Sequence, residues 1–577
     1  MLPPIADAPS LCSRRNARRR RVHATLAGGL LLALSIPSCS TTGRKNADRT
    51  TPLVQGKAIT FPAHVRQRLA PRQTPDFLSH AELVSLSKNP QPKGETAARL
   101  ERFWRTPVVS NEAYLSGQRP HVQSTAGLGP ILRVATWNIE KSLNITRVAE
   151  ALTSPAAYTS MINEKRAPAG SLLREEMLRQ RQRLASADIV FLQEMDLGVN
   201  RSGYVDAART LARSLGMNYA YAAQALEVDP VLLGHEPRPD SPAGKPQYHS
   251  VDPARYKGVF GSAILSRYPI VKAEAFQLKT QPYDWFKDEQ KRADFAEHGR
   301  RVGSALVFDN EITRELKVGG RNFFRVDVAV PNAPGGLVTL INNHLEIKTL
   351  PKYREAQMVE ILGYIKNIPH PVIMAGDHNS APNDVSPTSV ERVIWRQLDT
   401  PASFVSTASN VSGLVWGTVI PLYRERGVVN ALKNFQSPLA PNVPILFPNR
   451  VVGLFNRVKE FQFDDGSSFD FRGDRARSIN GRKGLLANSN DRRLKGQVTS
   501  FSVRRPIGPL GRYRLDWFFV KSGLLQDSRD KRGPYRFAPH YGETLAEFNE
   551  HVKKPFSDHR PLVVDLPLNE PALDNEG

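Results

Sequence analysis

Asp558 and His559 stand directly in front of "PLVVDL", an apolar run that reads as a buried strand and whose formation requires neither residue. Similar groups recur at other strand-like runs. Asn138 and Glu140 close "ILRVATWNI", Glu194 closes "DIVFLQE", and His344 lies late in "LVTLINNHLEI". Asp377 and Asn379 close "PVIMAGDHN", and Asp516 lies inside "YRLDWFFV". Singly, an Asp or Asn at a strand end is a turn former and a His is a hydrogen-bonded structural residue. Strand ends that share a sheet rim, however, bring such groups together, and several carboxylates on one rim repel unless a cation neutralises them. Oxygen ligands without thiolates favour a hard ion, Mg²⁺ first and Mn²⁺ or Ca²⁺ next. A carboxylate-held cation with two histidines and two asparagines suits attack on a phosphate ester.

These groups need rigid mounts. The runs at 131–139, 188–194, 261–270, 337–347, 371–379, 513–520 and 560–568 have the length and β-branched content of buried strands. Two stretches, 171–186 and 352–368, carry apolar residues at three- and four-residue spacing and read as helices that lead into strands. The mixture predicts an α/β sandwich with helices covering sheets. The 134 residues between "GDHN" and "RLDWFF" exceed what a connection needs. Residues of about 385–505 therefore read as an insertion, with helical pieces "SVERVIWRQL" and "VVNALKNF". Inside it, residues 472–495 carry a net +6 from eight Arg and Lys against Asp474 and Asp491, a solvated loop or a flap over a phosphate-bearing substrate.

The chain of 577 residues is 40% hydrophobic and 23% charged, which excludes wholesale disorder and a multi-span membrane protein. Its formal charge is +23, and the first 38 residues carry +5 of it, so the remainder, at +18, still invites an anionic partner. Six arginines between 14 and 21 precede "ATLAGGLLLALSIPSCS", the pattern of an export signal too short to span a membrane. The segment Ile36-Pro37-Ser38-Cys39 resembles a bacterial lipobox with Cys39 as the lipidated residue. Cys12 and Cys39 are the two cysteines, so no disulfide is expected in the mature chain. The expected organisation is a lipoprotein-type signal peptide over 1–38, an N-terminal tether and extension over 39–128 and a catalytic domain over 129–568. A tail follows at 569–577. The expected location is the periplasm or cell envelope, anchored to a membrane by the N-terminal lipid, and the expected state is a monomer.

"TWNIE", "DIVFLQE", "GSAILSRYPI", "NNHLEI", "AGDHN", "RLDWFF" and "FSDHRP", in this order, resemble the endonuclease/exonuclease/phosphatase superfamily. The resemblance implies a deoxyribonuclease I-like, four-layered α/β sandwich of two packed mixed sheets flanked by helices. It also implies metal-dependent hydrolysis of phosphoester bonds by direct water attack. By position, Glu194, with Asn138, Glu140 and Asp558, matches the metal site. Asp377 matches the residue that positions or deprotonates water, and Asn379 the amide that holds a phosphate oxygen. His559 matches the imidazole at the scissile phosphate, oriented by Asp516, and His344 matches the histidine of the members resembling deoxyribonuclease, sphingomyelinase and 5-phosphatase. His378 and Asn343 depart from the usual residues beside functional positions. The substrate is left between nucleic acid and a phospholipid or inositol-phosphate head group. A second reading, from another class, is a catalytically silent surface lipoprotein that binds nucleic acid or anionic lipid.

Overall fold

The computed structural model describes residues 54–237, 247–290, 315–382, 451–472, 499–507 and 510–572, with the strand pair 492–493 and 496–497. The leader, Cys39, the two helical pieces expected within the insertion and most of its basic stretch lie outside the described residues. All described residues belong to one compact unit.

Seven strands correspond to the seven apolar runs: β1 (Gly129–Asn138), β2 (Ile189–Leu197), β3 (Val259–Ser266), β4 (Leu337–His344), β5 (Val372–Asp377), β6 (Asp516–Lys521) and β7 (Leu562–Pro567). They divide between two sheets. A ten-stranded sheet contains β1, β2, β3 and β7, and a five-stranded sheet runs in the order Ile270–Gln277, Asn322–Ala329, β4, β5, β6. The run "GSAILSRYPI" is thus shared, because β3 ends at Ser266 in the large sheet and the next strand begins at Ile270 in the small one.

Alternation along the strands builds the layers, since successive side chains face opposite sides of a sheet. Leu132 and Val134 of β1 meet Ile373 and Ala375 of β5 and Phe518 and Val520 of β6 in a core between the sheets. The opposite face of β1, with Ala135 and Trp137, packs under α1 (Leu172–Ala185) through Met177 and Leu184. Val372, Met374, Trp517 and Phe519 pack under α2 (Pro351–Ile365) through Met358, Ile361 and Ile365. The order is helices, large sheet, small sheet, helices, which is the expected four-layered sandwich. α1 begins where its sequence says it should, with the Ser171 side chain accepting a hydrogen bond from the Arg174 amide.

Residues 54–125 differ in texture from a tether with short helices. Helices His80–Lys88 and Glu95–Arg105 are present, and the stretch also adds three strands to the large sheet: Val54–Ala58, Val108–Ser110 and His121–Thr125. Arg472, counted in the basic stretch, is buried and paired with Asp470 at 2.9 Å, so it belongs to the fold and not to a solvated loop or flap. No described helix is long and apolar enough to cross a membrane.

Candidate active site

Strand direction gathers the site. β1 and β2 are parallel, as are β4 and β5, so their carboxyl ends lie together at one edge: Asn138 is level with Gln193, and His344 with Asp377. β6 is antiparallel to β5 and begins at that edge, with Asp516 opposite Asp377. β7 is antiparallel to β1, so the segment preceding it, with Asp558 and His559, arrives there too. Glu140, Glu194, His344, Asp377, Asn379, Asp558 and His559 line one cavity of about 380 Å³, while Asn138 and Asp516 lie buried beneath them. All nine expected site residues therefore meet.

The local backbone is bent to present them. The β2 register slips between Leu192 and Met195, and Glu194 has φ of +58° at this bulge. Glu140, Lys141, Ser142 and Asn379 also have positive φ, a conformation that L side chains avoid and that marks functional sites more than scaffolds. Gly376 (φ +141°) is a glycine for a steric reason, because a Cβ there would lie 1.9 Å from the Asn343 carbonyl oxygen.

Asn138 clamps the centre. Its Nδ2 donates to Glu194 Oε1 at 3.1 Å and to Asp377 Oδ2 at 3.2 Å, and its Oδ1 accepts from the Glu140 amide at 3.1 Å. His559 Nδ1 lies 2.9 Å from Asp516 Oδ2, which leaves Nε2 facing Asp377 Oδ2 at 3.7 Å. His344 Nε2 lies 3.8 Å from Asp377 Oδ2 and 3.9 Å from Glu194 Oε1. The Asn379 amide donates to Asp377 Oδ1 at 2.8 Å, and its side chain donates to the Leu345 carbonyl at 3.0 Å.

Burial works against a charged His559, but Asp516 and then Asp377 outweigh it and push the imidazole up to about 10. Burial raises Asp377 to about 7; the His559 charge opposes this and Asp516 reinforces it. Burial, followed by the positive neighbours Arg321 and His559, holds His344 well below its ordinary value. Glu140 is pushed up to about 8 by burial and then by Asp558, with Arg504 opposing and Glu194 adding. Asp558 is raised by burial and by Glu194, against the pull of His559.

Two sets of groups could hold a cation. Asp377, Asp516 and His559 offer ligand atoms within 4.8 Å of one another, but His559 Nδ1 is already committed to Asp516. Glu140, Glu194 and Asp558 have no Lys or Arg ion pair among the described residues, and they line the same cavity. The oxygens of these three carboxylates are not gathered as closely as the ligand atoms of the histidine set, but all three face the cavity, two resist ionising, and together they offer the oxygen donors that a hard divalent ion prefers.

Several contributors were not found in the sequence. Ser557 Oγ donates to the Asn138 carbonyl at 2.7 Å and accepts from the His559 amide at 3.0 Å, joining β1 to the segment before β7. The Ser500 hydroxyl accepts from the Leu515 and Asp516 amides. The Phe501 ring sits 4.9 Å from the His559 ring, and Val503 and Arg504 form part of the cavity wall. Ser557 was visible within "FSDHRP"; the others lie at the end of the insertion, where spacing gives no signal.

Residues 135–559 match the profile of the Endonuclease/Exonuclease/phosphatase family. The chain belongs to that family. Its members hydrolyse phosphoester bonds, the chemistry for which this rim of carboxylates and imidazoles is suited. The family's solved structures include an endonuclease/exonuclease/phosphatase from Beutenbergia cavernae DSM 12333, 15% identical over 76% of this chain and 72% of its own, with a TM-score of 0.34. An AP endonuclease from Archaeoglobus fulgidus is 14% identical over 75% of this chain and 99% of its own, with a TM-score of 0.34. A 3'-5' exonuclease from Neisseria meningitidis is 12% identical over 75% of this chain and 99% of its own, with a TM-score of 0.32. Among curated proteins, none matches the sequence.

Proposed function

We propose that this family member is an exported, lipid-anchored, Mg²⁺-dependent phosphodiesterase that acts by direct attack of water on phosphorus. The observation that carries the reading is the meeting, around one cavity, of Glu140, Glu194 and Asp558 with Asp377 and the Asp516–His559 pair. Glu194, Glu140 and Asp558 are the residues that would hold the ion, with Asn138 setting their positions; Mn²⁺ or Ca²⁺ would suit the same oxygens. When bound, the ion supplies charge neutralisation and polarisation of a phosphoryl oxygen.

The chain's own residues do the rest. Asp377, raised to about 7, is poised near neutrality to orient a water and accept its proton. His559, kept charged by Asp516, faces the phosphoryl oxygens on which negative charge builds. His344, held neutral, and Asn379 border the same space as polar contacts for the phosphate. Attack forms the new P–O bond and breaks the ester bond to the leaving group.

The +18 charge beyond the leader supports a polyanionic substrate, and the leader with Cys39 supports export and a lipid anchor, hence also a membrane head group. The reading is tested with a panel of single- and double-stranded DNA, RNA, sphingomyelin, phosphatidylinositol phosphates and sugar phosphates in Mg²⁺. Cleavage of at least one phosphodiester class, lost in His559→Ala, is expected. Turnover of none in Mg²⁺ or Mn²⁺, with polyanions bound in a salt-sensitive way, would instead favour the silent binding protein.

A further inference from the structure

On the His344 side of the cavity, the wall carries a second group of charges. Lys317, Arg321 and Lys348 line it, although they are only 4%, 5% and 8% exposed. Each has a carboxylate behind it that does not line the cavity. Lys317 Nζ lies 3.4 Å from Glu227, Arg321 Nε 3.1 Å from Glu346, and Lys348 pairs with Glu289. Lys317 also meets Glu315, on the wall itself, at 2.6 Å.

Trp285 holds the three cations in place. Its ring centroid is 4.8 Å from Lys317 Nζ, 4.3 Å from Lys348 Nζ and 6.0 Å from the Arg321 guanidinium, and its indole N–H donates to Glu346 at 2.8 Å. The group abuts the catalytic end, since Lys317 Nζ lies 4.3 Å from the Phe260 ring and that ring 6.4 Å from His344. Arg321 donates to Glu346 through Nε alone, and its two terminal nitrogens have no partner among the described residues. Those terminal nitrogens are not among the enclosed atoms without a partner; they open on the cavity and are available to an anion that enters it. The shape of the fork suits two oxygens of one phosphoryl group.

We propose that Arg321, Lys317 and Lys348, arrayed around Trp285, form a second anion subsite that receives another phosphoryl group of the same substrate whose phosphoester is cleaved. The inference rests on the phosphodiesterase reading above. It narrows the substrate to compounds with a second phosphate near the scissile ester, whether the neighbouring phosphate of a nucleotide or one on a lipid head group.

Two matched pairs test it in Mg²⁺: a thymidine dinucleotide with and without a 5'-phosphate, and glycerophosphoinositol with and without a 4-phosphate. The doubly phosphorylated member of at least one pair is expected to have a kcat/KM about tenfold higher, ~1.4 kcal/mol. Which pair responds identifies the source of the phosphate. The preference is expected to fall towards one in K348Q/E289Q, which removes a cation and its buried partner together, and in R321K, which keeps the charge but loses the fork. No preference in either pair, or a preference unchanged in both variants, would overturn the subsite.

A titration with inorganic phosphate, read by tryptophan emission, decides the matter without turnover. A saturable change absent from W285F and weakened about tenfold in K348Q/E289Q supports the subsite, and no change overturns it. Failure of all hydrolysis alongside a positive titration would count against the catalytic reading and not against the subsite.

Discussion

Replacing Asp516 with Asn removes one charge from behind the His559 imidazole while keeping the volume of the side chain. Asp516 Oδ2 lies 2.9 Å from His559 Nδ1, and the Asp516 amide is itself tied to the Ser500 hydroxyl at 3.2 Å, so the carboxylate is a fixed support. Burial alone would drive the imidazole neutral; Asp516 is the largest of the influences that oppose it, ahead of Asp377. A hydrogen bond to a charged group contributes roughly 1.5–3 kcal/mol. Lost from the transition state, that corresponds to a fall in kcat of roughly 10- to 150-fold. The assay is steady-state hydrolysis of bis(4-nitrophenyl) phosphate in Mg²⁺, with thermal unfolding as a check that Asp516→Asn folds normally. A fully folded variant that loses less than about threefold in kcat, well under the span one such bond allows, would refute the role given to Asp516.

Asp565→Ala tests the scaffold. This carboxylate is fully buried and accepts from Arg133 at 2.7 and 3.0 Å and from Arg183 at 3.1 Å; its loss leaves the buried Arg133 guanidinium without its ion pair, while Arg183 keeps Glu543 at 3.3 Å, at a cost of about 3–5 kcal/mol, measurable by urea unfolding. Burial opposes its ionisation, but Arg133 and Arg183 outweigh burial and hold it below 3.8. Its contribution is therefore complete above that value and is lost as pH falls through the lowered one, so the stability gap between wild type and Asp565→Ala should close in strong acid. Gly376→Ala should destabilise the protein by about 3 kcal/mol or more and displace Asp377, because the added Cβ meets the Asn343 carbonyl oxygen at 1.9 Å. Gly363→Ala, in α2 with nothing within 4 Å, should leave the fold intact and stabilise it by up to ~1 kcal/mol in the same unfolding measurement.

The site was legible because its residues sit at fixed places relative to strong strand signals. Asp377 and Asn379 close "PVIMAGDHN", and once parallel and antiparallel strands share a rim, Asp516 and His559 must meet them. The fold was less legible where composition and structure disagree. Asn218–Glu227, "NYAYAAQALE", is rich in alanine, which favours helices, yet it forms a strand because it pairs with β3 over most of its length. Asn322–Ala329, "NFFRVDVA", had the β-branched and aromatic content of a strand and could have been found. Lys317, Arg321 and Lys348 could not. They come together around Trp285, which is 32 residues before the nearest of them, and a cation opening the short strand Lys317–Gly319 and two more in connections carry no pattern.

On the proposed function, the rim holds a divalent ion with which Asp377 and His559 cleave a phosphoester. The most direct measurement is the hydrolysis rate of bis(4-nitrophenyl) phosphate by one preparation in Mg²⁺, after addition of excess chelator, and after Mg²⁺ is returned. Turnover should disappear on chelation and come back with the ion. A rate indifferent to chelation would contradict the proposed function.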